Sequence, residues 1–345
     1  MKAVAYYQTL PIAAAESLLD LNLPEPKAGA RDLLVEVRAI AVNPVDVKVR
    51  ASRAAADASS PVVLGWDAVG IVRAIGAEVQ GFSVGDRVWY AGEINRPGSY
   101  AQLQAVDYRL AAHAPTKLSD AEAAALPLTG ITAWELLFER LQVQSKPERP
   151  VSLLVTGASG GVGSVLLQLA RQLPHLNIIA TASAPAQNPE AVARLKALGA
   201  HQVIDHRQPL APQIAALGVA PLHYVASLTH TPEHFADYVQ AIEAQGRISM
   251  IDDFAPDALN VMALKGKSLS LHWEMMFVRP LHQTHDIAAV GELLRELARR
   301  ADAGTLRSTL SEVLGPINAQ TLKLAHQRLE TQHTQGKLVL EGWGD

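Results

Sequence analysis

Hydrophobic and polar residues alternate along the first third of the chain, and this alternation predicts β-strands. Within 32–41, Leu33, Val35 and Val37 share one face, opposite Glu36. Glycine and proline separate further short apolar runs, which are 2–6, 62–64, 65–72, 86–90 and a strand that opens at 98–102. Several short strands broken by turn residues are typical of a small β-barrel domain.

The pattern changes after residue 118, where apolar residues recur at helical spacing. Helices are predicted at 119–126 and 129–141. From residue 151 onward strands alternate with helices, which predicts a parallel sheet with right-handed crossovers. The predicted strands are 151–155, 177–182, 202–205, 224–228, 247–252 and 268–273, and the helices are 162–173, 189–198, 209–217 and 232–242. The segments 285–303, 307–310, 318–330 and 337–341 break this rhythm and are predicted to pack back on the first domain.

A glycine-rich loop, Val155-Thr-Gly-Ala-Ser-Gly-Gly-Val-Gly-Ser164, joins the first strand of the alternating region to its first helix. Its glycines permit a tight turn and let the backbone amides at the helix start approach an anion. Because the motif lies between a strand and a helix, it predicts the binding of a dinucleotide pyrophosphate. The alternative is a glycine-rich helix start that needs only a close turn. The residues expected at the pyrophosphate are Gly157, Ser159, Gly160, Gly161, Val162 and Gly163.

The end of the second strand distinguishes the two nicotinamide dinucleotides. NAD enzymes usually carry Asp or Glu about 20 residues after the glycines, whereas here the strand ends at 181–183 (Thr-Ala-Ser) and no acid occurs within 164–189. A serine hydroxyl can donate a hydrogen bond to a 2′-phosphate, and Arg194, Lys196 or Arg207 could add positive charge. We therefore predict NADP(H), with Ser183 and Arg194 as contacts. The alternative is that Ser183 only caps the next turn.

Composition limits the chemistry further. The 345 residues include 34 acidic and 30 basic side chains, and the net charge of −4 gives no reason to expect a nucleic acid or an anionic membrane as partner. No apolar stretch approaches the roughly 20 residues that span a bilayer. No signal-peptide core is evident, so a cytoplasmic protein is expected. Cysteine is absent, which excludes disulfides, thiolate nucleophiles and cysteine-based zinc sites.

Several distinctive motifs occur along the chain, at 43–48 (Asn-Pro-Val-Asp-Val-Lys), 65–70 (Gly-Trp-Asp-Ala-Val-Gly), 84–88, 98–101, 126–133 and 157–163. Together they resemble those of the medium-chain dehydrogenase/reductase superfamily over the whole chain. The resemblance implies an α/β fold, in which a Rossmann doubly wound parallel sheet is inserted into a GroES-like β-barrel catalytic domain. The catalytic domain would comprise 1–125 and 283–345, and the Rossmann cofactor-binding domain 126–282. The chain most resembles the zinc-free quinone oxidoreductase branch, in the group labelled zinc-type alcohol dehydrogenase-like.

The positions at which this family binds zinc carry other residues here. Zinc alcohol dehydrogenases have a Cys after the first sheet, a Gly-His-Glu motif and a further Cys before the Rossmann domain. This chain has neither Cys nor His in 43–48 or 126–130, and Gly65-Trp66-Asp67 replaces Gly-His-Glu. The four-cysteine loop of the structural zinc is also missing. Since zinc requires a tetrahedral ligand set, Asp46 and Asp67 alone are too few, and no zinc is expected.

The resemblance further implies a reaction without a metal in a cleft between the domains. NADPH would transfer hydride to a quinone or an α,β-unsaturated carbonyl that hydrogen bonds polarise. Asn43, Asp46 and Lys48 are expected to line the nicotinamide side, and Tyr90 is a candidate hydroxyl donor. Each has a structural alternative: Asp46 could cap a helix, Lys48 could be a solvated charge, and Tyr90 could belong to the core.

Other expected contacts with the cofactor lie at the carboxyl ends of the parallel strands, where ligands of such sheets bind. These residues are Ser227, Leu228, Ile251 and Asp252, and the resemblance adds Thr129 and Lys337. The alternative for each is a strand end that packs a loop. His230 and His234 have a spacing that can bind metal, but Pro232 is expected to begin the helix, and no third ligand is evident. Surface or capping histidines are therefore the preferred interpretation.

Three functions remain open from the sequence. The first is an NADPH-dependent oxidoreductase that acts on a small-molecule substrate, either a quinone or an enone-like carbonyl. The second is a reductase specific for an alkenal or an enoyl thioester. The third is a non-catalytic NADPH-binding sensor, which needs the same glycine loop. The resemblance also implies a homodimer formed through the edge strand at 268–273.

Overall fold

The chain folds into two units, of which the second interrupts the first in sequence. A computed structural model describes residues 1–57, 59–143, 149–331 and 334–344. Unit one comprises Met1–Ile131 and Phe277–Asp345, and unit two comprises Thr132–Met276. The sequence analysis expects boundaries after 125 and after 282, whereas the chain passes between the units after Ile131 and after Met276. Residue 58, within the loop expected at 52–60, lies outside the described residues.

Unit one is built mainly from antiparallel strands. Its strands are β1 (Lys2–Tyr6), β2 (Leu19–Asn22), β3 (Asp32–Ala41), β4 (Val62–Val63), β5 (Ala68–Ile75), β6 (Arg87–Tyr90), β7 (Leu103–Asp107) and β8 (Ala111–His113). One sheet has the strand order β2-β1-β4. A larger sheet contains the consecutive strands β3-β5-β6-β8, and β7 also pairs with β3. The strand predicted at 32–41 is therefore confirmed, and it pairs with both β5 and β7.

Unit two contains a parallel sheet whose strands alternate with helices. The strands are β9 (Val151–Thr156), β10 (Leu176–Ala182), β11 (Gln202–Asp205), β12 (Leu222–Ser227), β13 (Arg247–Met250) and β14 (Ser270–Trp273). Their order is β11-β10-β9-β12-β13-β14, and each neighbouring pair is parallel. The chain reverses direction across the sheet between β9 and β12, and ligands of doubly wound sheets bind at such a switch point.

Burial in unit two follows from this order. Every residue of the central strand β9 is buried, because a strand inside a parallel sheet is covered on both faces. Leu154, Ile179, Val225 and Ile248, one from each of four neighbouring strands, belong to the same hydrophobic core. The continuous apolar run at 151–155 in the sequence is thereby explained.

Strand β15 (Leu310–Val313) and strand β16 (Lys337–Glu341) complete the large sheet of unit one. Strand β16 lies between β15, to which it is parallel, and β3, to which it is antiparallel. This agrees with the expectation that the segments after the Rossmann region pack back on the first domain. The α/β fold class, with a Rossmann sheet inserted into a GroES-like unit, is confirmed.

Most of the helices lie close to their predicted positions, but the helix at 278–282 was not predicted. They are α1 (Pro44–Ser52), α2 (Asp120–Ala124), α3 (Pro127–Trp134), α4 (Gly161–Ala170), α5 (Pro189–Leu198), α6 (Leu210–Ala216), α7 (Thr231–Ala241), α8 (Val278–His282), α9 (Ala289–Asp302) and α10 (Ala319–Glu330). Two predicted ends are wrong. Helix α4 stops at Ala170 rather than 173, because Leu173 precedes Pro174 and is disfavoured in helical conformation. Helix α9 starts at Ala289 rather than 285. The earlier residues form turns closed by hydrogen bonds between residues three apart, such as Ile287 N–H to Thr284 O.

Other predicted bounds also shifted. The segment 307–310, expected to pack back on the first domain, is a strand only from Leu310, and the helix expected through 141 continues beyond Trp134 as a π-helical turn over Glu135–Arg140. Strands β2 and β8 and a 3₁₀ turn at Val261–Lys267 were not predicted, since short or polar segments carry little periodicity. None of the helices in the described part of the chain combines the length and the apolarity needed to cross a bilayer.

Candidate active site

The glycine-rich loop follows the central strand β9 at the carboxyl edge of the parallel sheet. Gly157 adopts a positive φ of 65°, a conformation that favours glycine, and a Cβ there would lie 3.1 Å from Thr229 Cγ2. A Cβ on Gly163 would lie 2.6 Å from Ala158 Cα, closer than real atoms approach. Both glycines are therefore required by the turn itself, as the motif predicted.

The start of helix α4 is open to an anion. Gly160 is its N-cap residue and supplies no side-chain capping bond, so the first amides of the helix have no partner from a cap side chain. Gly161 and Val162 form the first turn, and Ser159 is partly exposed beside them. The positive end of the helix dipole adds to these amides. These residues fit a dinucleotide pyrophosphate.

The neighbouring strand ends are held by hydrogen bonds within unit two. Ser227 is fully buried, and its hydroxyl lies 2.7 Å from Thr231 Oγ1 and 3.0 Å from Tyr238 Oη. Asp252 accepts a hydrogen bond of 2.9 Å from the Thr231 backbone N–H and another from its hydroxyl. The side chains of Ser227 and Asp252 thus anchor the start of α7, and their expected cofactor contacts stay a prediction, as do those of Leu228 and Ile251.

The end of β10 carries the residues expected at the 2′-phosphate. Ser183 is exposed, and its Oγ lies 2.8 Å from His206 Nε2, which follows β11. Arg207 binds the Asp205 carboxylate through Nε at 3.1 Å and Nη2 at 3.0 Å. Arg194 is partly exposed on α5. The predicted serine therefore has a histidine partner that sequence reasoning missed, because its only signal was its position directly after a strand.

His230 and His234 differ in their surroundings. His230 is exposed and precedes the first residue of α7, which begins at Thr231 rather than Pro232. His234 is buried and its ring packs against the rings of His206 and Tyr238. The expectation of a surface or capping residue is therefore correct for His230 and wrong for His234, which faces inward on the helix.

A buried polar cluster in unit one contains the predicted residues Asn43 and Lys337 together with Asp67. Asn43 Nδ2 donates to Asp67 Oδ2 at 2.8 Å, and the Leu128 N–H donates to Asp67 Oδ1 at 2.7 Å. Lys337 Nζ donates to Asp67 Oδ2 at 2.9 Å, to Val42 O at 3.1 Å and to Asn43 Oδ1. Asp67 thus joins three separate segments of unit one through one carboxylate. Lys337, predicted to approach the cofactor, gives its ammonium to this cluster.

Asp46 adjoins the cluster as a helix-capping residue. It is fully buried at the third position of α1, where its Oδ2 accepts the Asn43 N–H at 2.6 Å. The capping alternative for Asp46 is therefore present. Burial raises the pKa of Asp46 to about 7, although the Asn43 N–H and the Lys337 charge oppose the rise. Burial also raises the pKa of Asp67, against the opposing effect of Lys337.

The remaining predicted residues of unit one differ in exposure. Tyr90 is fully buried at the end of β6, its hydroxyl has no hydrogen-bond partner among the described residues, and burial raises its pKa. Lys48 is exposed on α1. Thr129 is buried in α3 and its hydroxyl donates to Leu126 O at 3.2 Å. The roles predicted for these residues toward substrate and cofactor stay predictions.

The side chains of this cluster do not suit a zinc ion. Asn43 and Asp67 both accept hydrogen bonds from the Lys337 ammonium. The carboxylate of Asp46 accepts a hydrogen bond from the Asn43 backbone N–H. Zinc requires three or four Cys, His or carboxylate ligands. Over the residues that the structure describes, no group of three or more such side chains is placed to hold a metal ion.

Comparison with known proteins gives relatives over the whole chain. Residues 29–116 match the alcohol dehydrogenase GroES-like domain, and residues 198–340 match the zinc-binding dehydrogenase family. A zinc-type alcohol dehydrogenase-like protein of Staphylococcus aureus is 37% identical over 342 residues, covering 99% of both chains. The 2-methylene-furan-3-one reductase of Solanum lycopersicum is 30% identical over 351 residues, covering 99% of this chain and 79% of the relative.

Solved structures agree with these relatives. A putative zinc-dependent alcohol dehydrogenase protein from Rhizobium etli superimposes with a TM-score of 0.94 at 47% identity, covering 100% of this chain and 99% of the other. The Escherichia coli quinone oxidoreductase complexed with NADPH shares the fold, with a TM-score of 0.80 at 22% identity and coverage of 99% and 100%. The superfamily predicted from the motifs is therefore confirmed: the chain is an oxidoreductase that belongs to the medium-chain dehydrogenase/reductase superfamily, together with the zinc-type alcohol dehydrogenase-like proteins.

Proposed function

We propose that this protein is an NADPH-dependent reductase that transfers hydride to quinones or α,β-unsaturated carbonyls without a catalytic metal. The observation that carries the proposal is the open N-terminus of α4, which follows the central strand at the switch point of the sheet. Such a helix start, capped by glycine, binds the pyrophosphate of dinucleotides. A bound nicotinamide supplies the hydride.

Different residues would bind the cofactor and the acceptor. The amides of Gly160, Gly161 and Val162 would hold the pyrophosphate, and Ser183 would select the 2′-phosphate. Unit one would present the acceptor, with Lys48 and Tyr90 as the predicted contacts. Asn43 and Asp46 are fully buried, which supports a positioning role for them through α1.

The choice of acceptor is supported by the donor set of unit one and by the relatives. A zinc dehydrogenase polarises an alcohol or carbonyl oxygen by its metal, and the Asn43–Asp67–Lys337 cluster does not suit that ion. A conjugated acceptor is reduced at carbon and needs only hydrogen-bond stabilisation of its developing oxyanion. The Solanum lycopersicum relative is named for an enone and the Escherichia coli protein of the same fold for quinones.

Loss of NADPH absorbance across quinones, alkenals and aldehydes tests this proposal, with metal analysis of the same sample. Turnover of quinones or alkenals by protein free of zinc is the expected result. Stoichiometric zinc together with oxidation of simple alcohols would contradict it. NADPH that binds without turnover of any acceptor would favour the sensor alternative instead.

A second candidate is a reductase specific for one class of conjugated double bond. The identity of 30% to 2-methylene-furan-3-one reductase favours it. Side-by-side kinetics separate the two, because a specific double-bond reductase would turn over alkenals with a kcat/KM well above that for any quinone. A general quinone reductase would show the reverse order.

We further propose that two copies associate through β14. This strand forms one end of the parallel sheet, and Trp273 and Met275 near it are about half exposed. An edge strand with exposed apolar side chains is suited to pairing with a second copy. Light scattering that gives a dimer mass supports this proposal, and a monomer at micromolar concentration contradicts it.

A further inference from the structure

Ser183 and His206 lie side by side at the carboxyl edge of the parallel sheet. Ala182, the last residue of β10, pairs with Asp205, the last residue of β11, so the residue that follows each strand emerges at the same level. The Ser183 Oγ and the His206 Nε2 are 2.8 Å apart. Ser183 is exposed and His206 is half-buried behind it. The exposed hydroxyl of Ser183 is therefore within hydrogen-bond distance of the His206 ring.

The nearby arginine is already neutralised. Arg207 donates three hydrogen bonds to Asp205, from its backbone N–H at 3.0 Å and from its guanidinium at 3.1 and 3.0 Å. Its charge is thus matched by a carboxylate on the same turn. His206 is consequently the titratable group in direct contact with Ser183.

Charged and titratable groups surround His206 from two elements. Asp205 and Arg207 flank it in its own turn, and His230, Glu233 and the ring of His234 face it from the start of α7, the last with ring centres 6.3 Å apart. Burial lowers the pKa of His206 most, and His230 and Arg207 act in the same direction, while Asp205 and Glu233 oppose them. The ring is therefore neutral in the free protein at neutral pH.

Resting on the proposed NADPH dependence, we infer that Ser183 and His206 together recognise the 2′-phosphate of the cofactor, and that His206 takes up a proton from the solvent when this phosphate binds. The proton converts the imidazole to an imidazolium, with no covalent change. Both ring nitrogens then donate, so Nε2 donates to the Ser183 Oγ and leaves the hydroxyl hydrogen for a phosphate oxygen. A dianionic phosphate beside the ring favours the charged form.

This assignment predicts a pH dependence that belongs to NADPH alone. Because the complex binds one more proton than the free protein, NADPH affinity falls by up to about tenfold per pH unit as the pH rises above the pKa of free His206. NADH lacks the phosphate, and its affinity stays flat over the same range. The phosphate's own titration, with a second pKa of about 6, acts in the opposite direction, because binding the dianion releases a proton.

Titration calorimetry with the full chain tests the inference. NADPH, NADH, 2′,5′-ADP and 5′-AMP are titrated at pH 6 and pH 8, in two buffers of different ionisation enthalpy, which gives both Kd and the number of protons taken up. The variants are His206→Gln, which retains a hydrogen-bonding side chain without a titratable ring, and His175→Gln. His175 is exposed and precedes β10 at the opposite edge of the same sheet, so it is a matched control.

The expected result is proton uptake with NADPH and 2′,5′-ADP but not with NADH and 5′-AMP. His206→Gln should abolish the uptake and weaken NADPH about tenfold or more at pH 6, with NADH unchanged, and His175→Gln should behave as the wild type. Equal NADPH affinity and proton uptake in wild type and His206→Gln would overturn the inference. So would tighter binding of NADH than NADPH, with Asp205 then acting as the ribose acceptor.

Two further outcomes keep the inference separate from the proposed function. If no dinucleotide binds at all, the proposed function fails. If NADPH binds tightly and selectively but without proton uptake, the inference fails and the proposed function stands. Should His206→Gln not fold, as judged by circular dichroism, the proton count of the wild-type protein with NADPH and NADH decides alone.

Discussion

Replacing Lys337 by methionine removes the cation from a buried carboxylate. Lys337 Nζ lies 2.9 Å from Asp67 Oδ2, and both side chains are almost fully buried. At an effective dielectric constant of about 20 the attraction over this distance is about 6 kcal/mol. Breaking a buried pair by removing one partner typically costs about 3–5 kcal/mol, because a charge is left uncompensated. We expect Lys337→Met to lower the free energy of unfolding of unit one by that amount.

A thermodynamic cycle isolates the charge pair. Urea unfolding is followed by tryptophan fluorescence, to which Trp66 and Trp89 contribute from the buried interior of unit one. Asp67→Asn and the double variant Asp67→Asn/Lys337→Met complete the cycle. The double variant should be more stable than Lys337→Met alone, since no lone carboxylate remains. The cost of Lys337→Met should also shrink as the pH falls, because protonation of Asp67 removes the unpaired charge.

Two results would refute this reasoning. One is a loss below about 1 kcal/mol for Lys337→Met at neutral pH, the value of an exposed pair. The other is additivity of the two single substitutions in the double variant, which would mean that Asp67 and Lys337 do not interact. Either would show that the cluster is hydrated in solution.

Three further predictions concern other parts of the chain. Gly163→Ala should weaken NADPH binding in a fluorescence titration by more than tenfold, because its Cβ would lie 2.6 Å from Ala158 Cα. The control Gly266→Ala, whose Cβ would have no atom within 4 Å, should bind NADPH normally. Similar losses in both variants would contradict the assignment of the loop. The pKa of His326 is lowered from 6.5 to about 3, mainly by burial and further by Arg50. Between these two pH values the unfolded chain binds more protons than the folded chain, so the free energy of unfolding falls as the pH drops through that range. His326→Gln should flatten this dependence in acid unfolding experiments, and an unchanged slope would assign it to other groups. Tyr90→Phe deletes a buried hydroxyl that has no partner among the described residues, so the melting temperature should change little. A loss of kcat at unchanged stability would support the predicted role of Tyr90 toward the acceptor, and full activity would refute that role.

The parallel sheet was predictable from the sequence because most of its strands are short apolar runs and a helix follows each of the first four. The order of the strands was not, since apolar runs that are buried on both faces carry no register information. The ends of α4 and α9 missed by a few residues, because a proline and a series of short turns override the apolar spacing there. The strands β2 and β8 are too short to show periodicity.

The candidate site was predictable only where a motif fixes the backbone. Gly157 and Gly163 could be placed because the turn tolerates no side chain at those positions. The cluster around Asp67 could not, since its members come from segments 270 and 294 residues apart that meet only in the folded unit. Gly65-Trp66-Asp67 was the one available signal, and it indicated a missing ligand rather than an ion pair.

The position of β16 fixes the order in which the chain can mature during synthesis. Lys337 Nζ donates to Val42 O across a sequence separation of 295 residues, and β16 pairs with β3. At about 5–20 residues per second, a ribosome takes on the order of 15–60 s to cover that interval. The parallel sheet of unit two, whose strands are contiguous in sequence, is synthesised completely within this interval, while residues 39–41 of β3 lack their partner until translation reaches β16.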